Sequence, residues 1–363
     1  MNPKERVLTA ISHKEADKIP LDSWLAPEIC QEIASLFNLD DKKDPFIIKK
    51  FLGDDILYKH MGSSRSWSTI YMPEKKIGDN LYQDDFGIKW KKKPTPHGGS
   101  YCEFVEHPLA DLKAYESFKM PDPLITEKDD LELYRKLVKE HGSSYAIAGS
   151  AANSVLECSW YLRGLEAFLM DLYINADFAS ELMDKVMGYH LELAKELTKI
   201  GVDIIIYGDD IACERGPLVS PKIYRKEIKP RHAHLIEEVR KINRDVKIAY
   251  HSCGNVEWAL NDLIEIGVNI LNPLQPDVND VAAIKRKYGS KLTFWGNVDT
   301  RNIMTNGSAK DVINEVKNVI DVLGPGGGLI LASNHTVQYS KKALDNTINF
   351  YWAAEKLRNY PIK

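Results

Sequence analysis

The sequence lacks the features that mark several large classes of protein. Its 48 Lys and Arg residues are outnumbered by 52 Asp and Glu residues, giving a formal net charge of −4, which argues against binding to nucleic acid or to anionic membrane surfaces. It contains no apolar run approaching the roughly 18 to 20 residues that span a bilayer, and its N-terminal residues are too polar for a signal peptide. We therefore expect a cytoplasmic protein with no nucleic-acid or membrane partner.

Cysteine is scarce and forms no disulfide framework. The five cysteines are Cys30, Cys102, Cys158, Cys213 and Cys253. Their odd number and irregular spacing argue against a disulfide-stapled secreted domain. Four of them are interpreted as buried small hydrophobic residues. Only Cys253 has a chemically suggestive neighbour, because His251 lies two residues before it.

Beyond residue 130 the chain contains a repeating pattern of short apolar stretches, turns and amphipathic helical segments. Stretches that are apolar at successive positions are typical of strands buried on both faces, as in a parallel sheet covered by helices. The predicted strands are residues 17–24, 145–148, 203–207, 246–250, 269–271, 292–295 and 329–331. The pattern predicts an α/β fold, a (β/α)8 TIM-type barrel.

The region that precedes this repeating pattern is less regular. Residues 54–125 contain alternating stretches at 57–58, 69–72 and 87–90 and a turn-rich segment at 93–99, which together predict a β-rich elaboration or insertion. We expect one barrel domain over residues 1–363 that carries this N-terminal elaboration. A surface insertion with no role beyond shape is the alternative.

Polar and ionisable side chains follow nearly every predicted strand. Barrel active sites collect at the C-terminal ends of the strands, so these residues are the candidates for a functional site. They are Trp24, Glu157, Asp209, Asp210, His251, Cys253, Asn272, Gln275, Asn297 and His335. A barrel that served only as a scaffold would not need them.

His251 and Cys253 are the most specific of these candidates. An imidazole and a thiolate two residues apart at a strand end suit a borderline-soft cation such as Zn²⁺, and His335 would supply a third ligand from the last strand. The competing interpretation is that His251 and Cys253 only pack. Asp209 and Asp210 likewise have a structural alternative, because Asp at a strand end commonly caps the helix that follows.

Several stretches resemble the uroporphyrinogen decarboxylase superfamily, and more closely its zinc-dependent branch of corrinoid-linked methyltransferases and O-demethylases. They are residues 1–20, 161–166, 251–255, 271–276, 294–300 and 326–335. The resemblance implies a TIM-type barrel with zinc at its mouth, held by His251, Cys253 and His335. It also implies a methyl transfer between a small methoxylated, methylamine or thiol compound and a corrinoid (cobalamin) carried by a partner protein.

On this interpretation the remaining candidates divide into two groups. Asp209, Asp210 and Glu157 would be catalytic, as proton donors, as a fourth zinc ligand or as partners of a ligand imidazole. Substrate contacts would come from Trp24, Asn272, Gln275 and Asn297. The sequence leaves the fourth ligand, the methyl donor and acceptor, the direction of transfer and any homo-oligomer open.

Two departures from the family pattern bear on function. Residues 20–27 contain no Arg, so the carboxylates of a tetrapyrrole would lack cations there, and decarboxylation of that substrate is not expected. His335 also stands where coenzyme M methyltransferases of the zinc branch have Cys, which leaves one thiolate in the predicted set. A lyase acting on a small carboxylic acid and a non-catalytic barrel that binds a small molecule or a corrinoid are the alternatives.

Overall fold

The computed structural model describes residues 1–62 and 75–362, so the predicted alternating stretch at 69–72 lies outside it. The strands of the described residues are β1 (Ile56–Leu57), β2 (Lys75–Gly78), β3 (Leu81–Gln83), β4 (Lys89–Pro94), β5 (Ser100–Glu106), β6 (Ala146–Ser150), β7 (Ile204–Gly208), β8 (Ala212–Cys213), β9 (Gly216–Pro217), β10 (Lys247–His251), β11 (Ile270–Asn272), β12 (Thr293–Trp295) and β13 (Leu329–Ile330). Seven of them form one parallel sheet in the order β1-β6-β7-β10-β11-β12-β13.

An extended N-terminal segment stands in the eighth position, between β13 and β1. On one side the N–H of Asp22 donates to the carbonyl of Leu331 at 3.1 Å, and on the other the N–H of Asp55 donates to the carbonyl of Leu21 at 2.8 Å. The segment makes isolated bridges instead of a regular strand. The curled parallel sheet confirms the predicted TIM-barrel fold class.

Helices follow most of the parallel strands. They are α1 (Pro3–Ile11), α2 (Pro27–Leu36), α3 (Ile47–Leu52), α4 (Pro123–Thr126), α5 (Lys128–His141), α6 (Leu156–Arg163), α7 (Leu165–Ile174), α8 (Ala176–Ile200), α9 (Pro221–Ile223), α10 (Lys229–Ile242), α11 (Leu260–Glu265), α12 (Val281–Tyr288), α13 (Ala309–Leu323) and α14 (Lys341–Leu357). Helix α8 buries a stripe that includes Leu182, Val186 and Leu193, as its three- and four-residue spacing predicts. Among the described helices, none combines the length and apolarity needed to cross a membrane.

The same kind of hydrogen bond occurs at the start of three of the parallel strands. In each case an Asp or Asn just before the strand accepts a hydrogen bond from a backbone N–H of the neighbouring strand or segment. The pairs are Asp55 with Leu21 at 2.8 Å, Asp203 with Ile147 at 3.0 Å, and Asn269 with Ile248 at 3.0 Å. These bonds satisfy backbone donors at the N-terminal edge of the sheet and help to fix the register of neighbouring strands.

The β-rich region is a four-stranded antiparallel sheet in the order β2-β3-β4-β5. It spans residues 75–106, and Trp90 on β4 is buried, with its indole N–H donating to Asp84 at 2.8 Å. Strand β1 also falls within residues 54–125, but it pairs in parallel with β6. Residues 56–57 therefore belong to the parallel sheet and not to the antiparallel sheet, a correction to the sequence interpretation.

Candidate functional site

Three potential metal ligands meet where β7 and β10 end. Asp210, His251 and Cys253 each place one donor atom within 4.8 Å of the donors of the other two. The Nε2 atom of His251 lies 3.8 Å from Cys253 Sγ and 3.8 Å from Asp210 Oδ1. Zinc bound tetrahedrally would separate a nitrogen ligand from sulfur by about 3.6 Å and from oxygen by about 3.4 Å. The spacing and the chemistry of these donors therefore fit zinc.

The ring of His251 is oriented by a buried amide. Its Nδ1 lies 2.7 Å from Asn272 Oδ1, and the Asn272 amide nitrogen donates to the carbonyl of Trp295 at 2.9 Å. Because that oxygen can only accept, Nδ1 carries the proton and the lone pair is on Nε2, the atom that faces Asp210 and Cys253. Asn272 thus positions a candidate ligand in its metal-binding tautomer, and the substrate contact expected of it stays a prediction.

Trp24 packs directly on the same imidazole. The two rings are nearly parallel, with their centroids 5.7 Å apart and 12° between their planes. The Trp24 indole N–H donates to the buried carboxylate of Asp22 at 2.9 Å, which also accepts hydrogen bonds from Trp295 at 3.0 Å and Tyr58 at 3.2 Å. Asp22 therefore fixes three aromatic rings around the site, and burial raises its pKa to about 6 although Lys49 opposes this.

Two glycines, Gly208 and Gly254, allow the turn that carries Cys253 to pack closely against neighbouring backbone. A Cβ on Gly208 would lie 2.6 Å from the carbonyl oxygen of His251 and 2.7 Å from its Cβ. Gly254 has a φ of +87°, and a Cβ there would lie 2.7 Å from backbone atoms of Cys213. Any larger side chain at either position would displace the turn that carries Cys253.

Burial dominates the electrostatics of the cluster. It raises the pKa of the Cys253 thiol well above its ordinary value, and the neighbouring Asp210 carboxylate adds to the effect. Burial likewise raises the pKa of Asp210, whose Oδ1 accepts from the N–H of Cys253 at 2.7 Å. A bound cation would offset both effects, because it favours the deprotonated ligands.

Asp209 bonds to backbone N–H groups and to a buried histidine, and the catalytic role expected of it stays a prediction. Its two oxygens accept from the N–H of Val155 and of Glu157, the latter at 2.8 Å, and from His232 Nε2 at 2.7 Å. It therefore caps the start of α6, which is the structural alternative raised for it from the sequence. The capped helix follows the preceding strand, whereas the sequence suggested the helix after Asp209.

Glu157 lies behind the cluster and is buried. Tyr161 donates to its Oε1 at 3.0 Å, and the Tyr161 hydroxyl in turn accepts from the Asn153 amide at 3.0 Å. Burial raises the pKa of Glu157 well above its ordinary value, and the charges of Asp210 and Asp209 raise it further. Glu157 is thus close to the site electrostatically while remaining enclosed in protein.

Gln275 and Asn297, which are expected to bind substrate, bond to the loops of the barrel mouth, and the substrate contacts stay predictions. Gln275 accepts a hydrogen bond from the N–H of Gly254 and so braces the turn that carries Cys253. The amide of the buried Asn297 is assigned from its neighbours: the atom that faces the carbonyls of Gly296 at 3.1 Å and Leu274 at 3.3 Å is the nitrogen, which donates to them. Both side chains hold the site together.

His335, the predicted third ligand, lies outside the 4.8 Å group formed by Asp210, His251 and Cys253. It is nevertheless near the cluster, since burial, followed by an electrostatic contribution from His251, lowers its pKa to about 4. The structure thus brings together two of the three predicted ligands, and Asp210 lies beside them.

His60 is a site residue that the sequence interpretation missed. It follows β1, and its ring meets that of Trp24 edge-on with the centroids 5.6 Å apart. Burial lowers the pKa of His60 to about 3, with a further electrostatic contribution from His251. A signal was available. Residues 53–57 read Gly-Asp-Asp-Ile-Leu, which matches Gly-Val-Asp-Ile-Ile at 201–205 and Gly-Val-Asn-Ile-Leu at 267–271, both of which precede or enter predicted strands.

Comparisons with known proteins agree with this architecture. The family model for uroporphyrinogen decarboxylase (URO-D) matches residues 95–348. Methylcobamide:CoM methyltransferase MtbA from Methanosarcina acetivorans is 25% identical over 206 residues, which are 55% of this chain and 58% of that protein, so less than two thirds of that relative is spanned. A methyltransferase from Methanosarcina mazei has a similar fold, with a TM-score of 0.72 and 18% identity over 98% of this chain and 99% of that chain.

Proposed function

The chain belongs to the uroporphyrinogen decarboxylase (URO-D) family, and we propose that it is a zinc-dependent methyltransferase of that family. It would move a methyl group between a small methoxylated, methylamine or thiol compound and a corrinoid protein. The observation that carries the proposal is the cluster of Asp210, His251 and Cys253 at the C-terminal end of the parallel sheet. The similarity to a protein named as a methylcobamide methyltransferase also supports this proposal.

The proposed ligands are Asp210, His251 and Cys253, with His335 as a candidate fourth. Zinc held there would supply Lewis acidity that weakens the bond between the methyl carbon and its heteroatom, or favours a thiolate acceptor. The protein's own contribution is to keep the ligands in place. Asn272 holds the tautomer of His251, and Trp24 restrains the plane of its ring.

The corrinoid is proposed to arrive on a partner protein. The similarity to a protein named as a methylcobamide methyltransferase supports a corrinoid as the other reactant. Its partner would be a small corrinoid carrier that docks at the barrel mouth, where Asp210 and Cys253 are partly exposed.

Metal analysis tests the cluster. Protein purified from zinc-containing medium should hold about one zinc per chain. We expect Cys253→Ser and Asp210→Asn to lower this content severely, whereas Cys213→Ser, which changes an exposed cysteine nearby, should leave it unchanged. His335→Ala tests whether His335 is the fourth zinc ligand, because loss of zinc from this variant would indicate that it is.

Methyl transfer tests the reaction. Candidate methyl ethers, methylamines and methyl thioethers are mixed with zinc-loaded protein and cob(I)alamin, and conversion to methylcobalamin is followed by absorbance. Candidate thiols are mixed instead with methylcobalamin, and formation of cob(I)alamin is followed in the same way. Zinc-dependent transfer that is lost in Cys253→Ser supports the proposal. Loss of CO₂ from a small acid without any need for zinc would favour the lyase, and intact zinc with no transfer from any donor would favour a binding protein.

A further inference from the structure

A cavity of ≈450 Å³ adjoins the candidate metal site, a volume within the range of small-molecule sites. Trp24, which stacks on His251, forms part of its wall, and Thr336, next in the chain to His335, forms another part. Phe46 and Tyr58 add aromatic surface. The cavity therefore shares side chains with the metal site and offers a largely apolar, aromatic lining.

The two lysines that line this cavity are already paired. Lys49 Nζ lies 2.6 Å from Asp22 Oδ1 and 3.2 Å from Asp54 Oδ2, while Lys59 Nζ lies 2.5 Å from Asp130 Oδ1. Lys49 thus faces two carboxylates, so its surroundings carry no surplus of positive charge. An anion entering the cavity would give up its hydration without gaining an unbalanced cation in return.

A cationic ligand meets a different obstacle. The ammonium group of Lys49 sits 4.5 Å from the centre of the Tyr58 ring, so the cation–π position on that ring is taken and a second cation there would be repelled. The Asp22 carboxylate is likewise occupied, by Lys49, Trp24, Tyr58 and Trp295. The other carboxylate of the lining, Asp41, is exposed at the edge of the cavity, where water and salt screen its attraction for a cation.

From this balance we infer that the cavity binds the non-corrinoid partner of the methyl transfer as an uncharged, largely aromatic molecule, and that it discriminates against both carboxylate- or sulfonate-bearing thiols and methylammonium ions. The inference rests on the proposed function for the meaning of that ligand. The site itself, with its preference for neutral ligands, can be tested without any reaction.

The test uses three probes of one shape and different charge: 4-methoxybenzyl alcohol, 4-methoxybenzoate and 4-methoxybenzylammonium. Their binding to the full chain is measured by calorimetry at pH 7, with zinc and after its removal by a chelator. The neutral probe should bind at least about tenfold more tightly than either ion, because each ion must shed water without gaining an unbalanced buried charge of opposite sign. Equal or tighter binding of an ion, or no binding of the neutral probe, overturns the inference.

Two substitutions locate the binding. Asp54→Asn removes one of the two carboxylates that face Lys49 and should raise the affinity for 4-methoxybenzoate about tenfold. Because Asp54 is buried, Asp41→Lys at the exposed edge of the cavity provides a second variant that does not disturb the core. It should raise the benzoate affinity severalfold and leave that of the alcohol within about twofold. An unchanged benzoate affinity in folded forms of both variants would place the probes elsewhere and defeat the inference.

The two proposals fail separately. Zinc binding and methyl transfer with preferred binding of an anion would leave the proposed function in place and remove the inference. Absence of zinc together with selective binding of the neutral probe would do the reverse.

Discussion

Replacing Asn272 with Leu tests whether the metal site depends on the orientation of His251. The substitution removes the acceptor that lies 2.7 Å from His251 Nδ1, so that nothing at position 272 would retain the proton on that nitrogen. The imidazole can then rotate or change tautomer, and the Nε2 lone pair is no longer aimed at Asp210 and Cys253. The loss falls on metal affinity because the ligands themselves remain.

Hydrogen-bond partners of metal-bound histidines typically contribute about 10- to 100-fold to metal affinity. We therefore expect Asn272→Leu to weaken zinc binding by this factor, or about 1.4 to 2.7 kcal/mol. Competition against a chromophoric chelator at constant pH measures the effect directly. Denaturant unfolding of the metal-free protein measures the separate cost of leaving the Trp295 carbonyl without its 2.9 Å partner.

Asn297→Leu provides a matched control. Asn297 is also a buried amide at the barrel mouth, and it donates to the carbonyls of Gly296 and Leu274, whereas Asn272 accepts from the imidazole of His251. It should lose stability to a similar degree and keep nearly native zinc affinity. The reasoning is refuted if Asn272→Leu binds zinc as tightly as the Asn297→Leu variant does.

Three further predictions concern residues around the site and at the other end of the barrel. Gly208→Ala should abolish tight zinc binding and lower the melting temperature, because the Cβ of the new alanine would lie within 2.7 Å of His251 atoms. Native zinc affinity in this variant would show that the turn can move. Asp209→Ala should cost about 1 to 3 kcal/mol in chemical denaturation by leaving buried donors unsatisfied, and methyl transfer by the folded variant should persist. At the N-terminus, hydrogen bonding to Arg6 holds the pKa of Asp17 below its ordinary value, so the pair stabilises the fold above the unfolded-state pKa of about 3.9 and loses that effect as pH falls. The stability difference between wild type and Asp17→Asn should therefore shrink in denaturation series taken below about pH 4, and a constant difference would rule out the ion pair.

The strands that sequence could locate are those with enough buried aliphatic residues to form a recognisable run. Strand β7, with its consecutive Ile204, Ile205 and Ile206, is such a case. Strand β1 has only two residues and sits between polar neighbours, so its place in the sheet is set by backbone pairing and by Asp55. No period can be read from two residues, and this is why His60 was missed.

The metal cluster was predictable in part for a similar reason. His251 and Cys253 come from one turn, so their proximity follows from local spacing. Whether Asp210 or His335 stands third depends on how the turns after β7 and β13 fold back over the barrel, which long-range packing decides. Asp209 and Asp210 are adjacent in sequence, yet one caps α6 and the other faces His251. Only the direction of each side chain separates the two roles.

X-ray absorption at the zinc edge is the most direct measurement of the central claim. On protein loaded with one equivalent of zinc, we expect one sulfur ligand at about 2.3 Å and two or three nitrogen or oxygen ligands at about 2.0 to 2.2 Å, with the sulfur contribution absent in Cys253→Ser. A protein that retains no zinc, or a zinc shell that contains no sulfur, would contradict it.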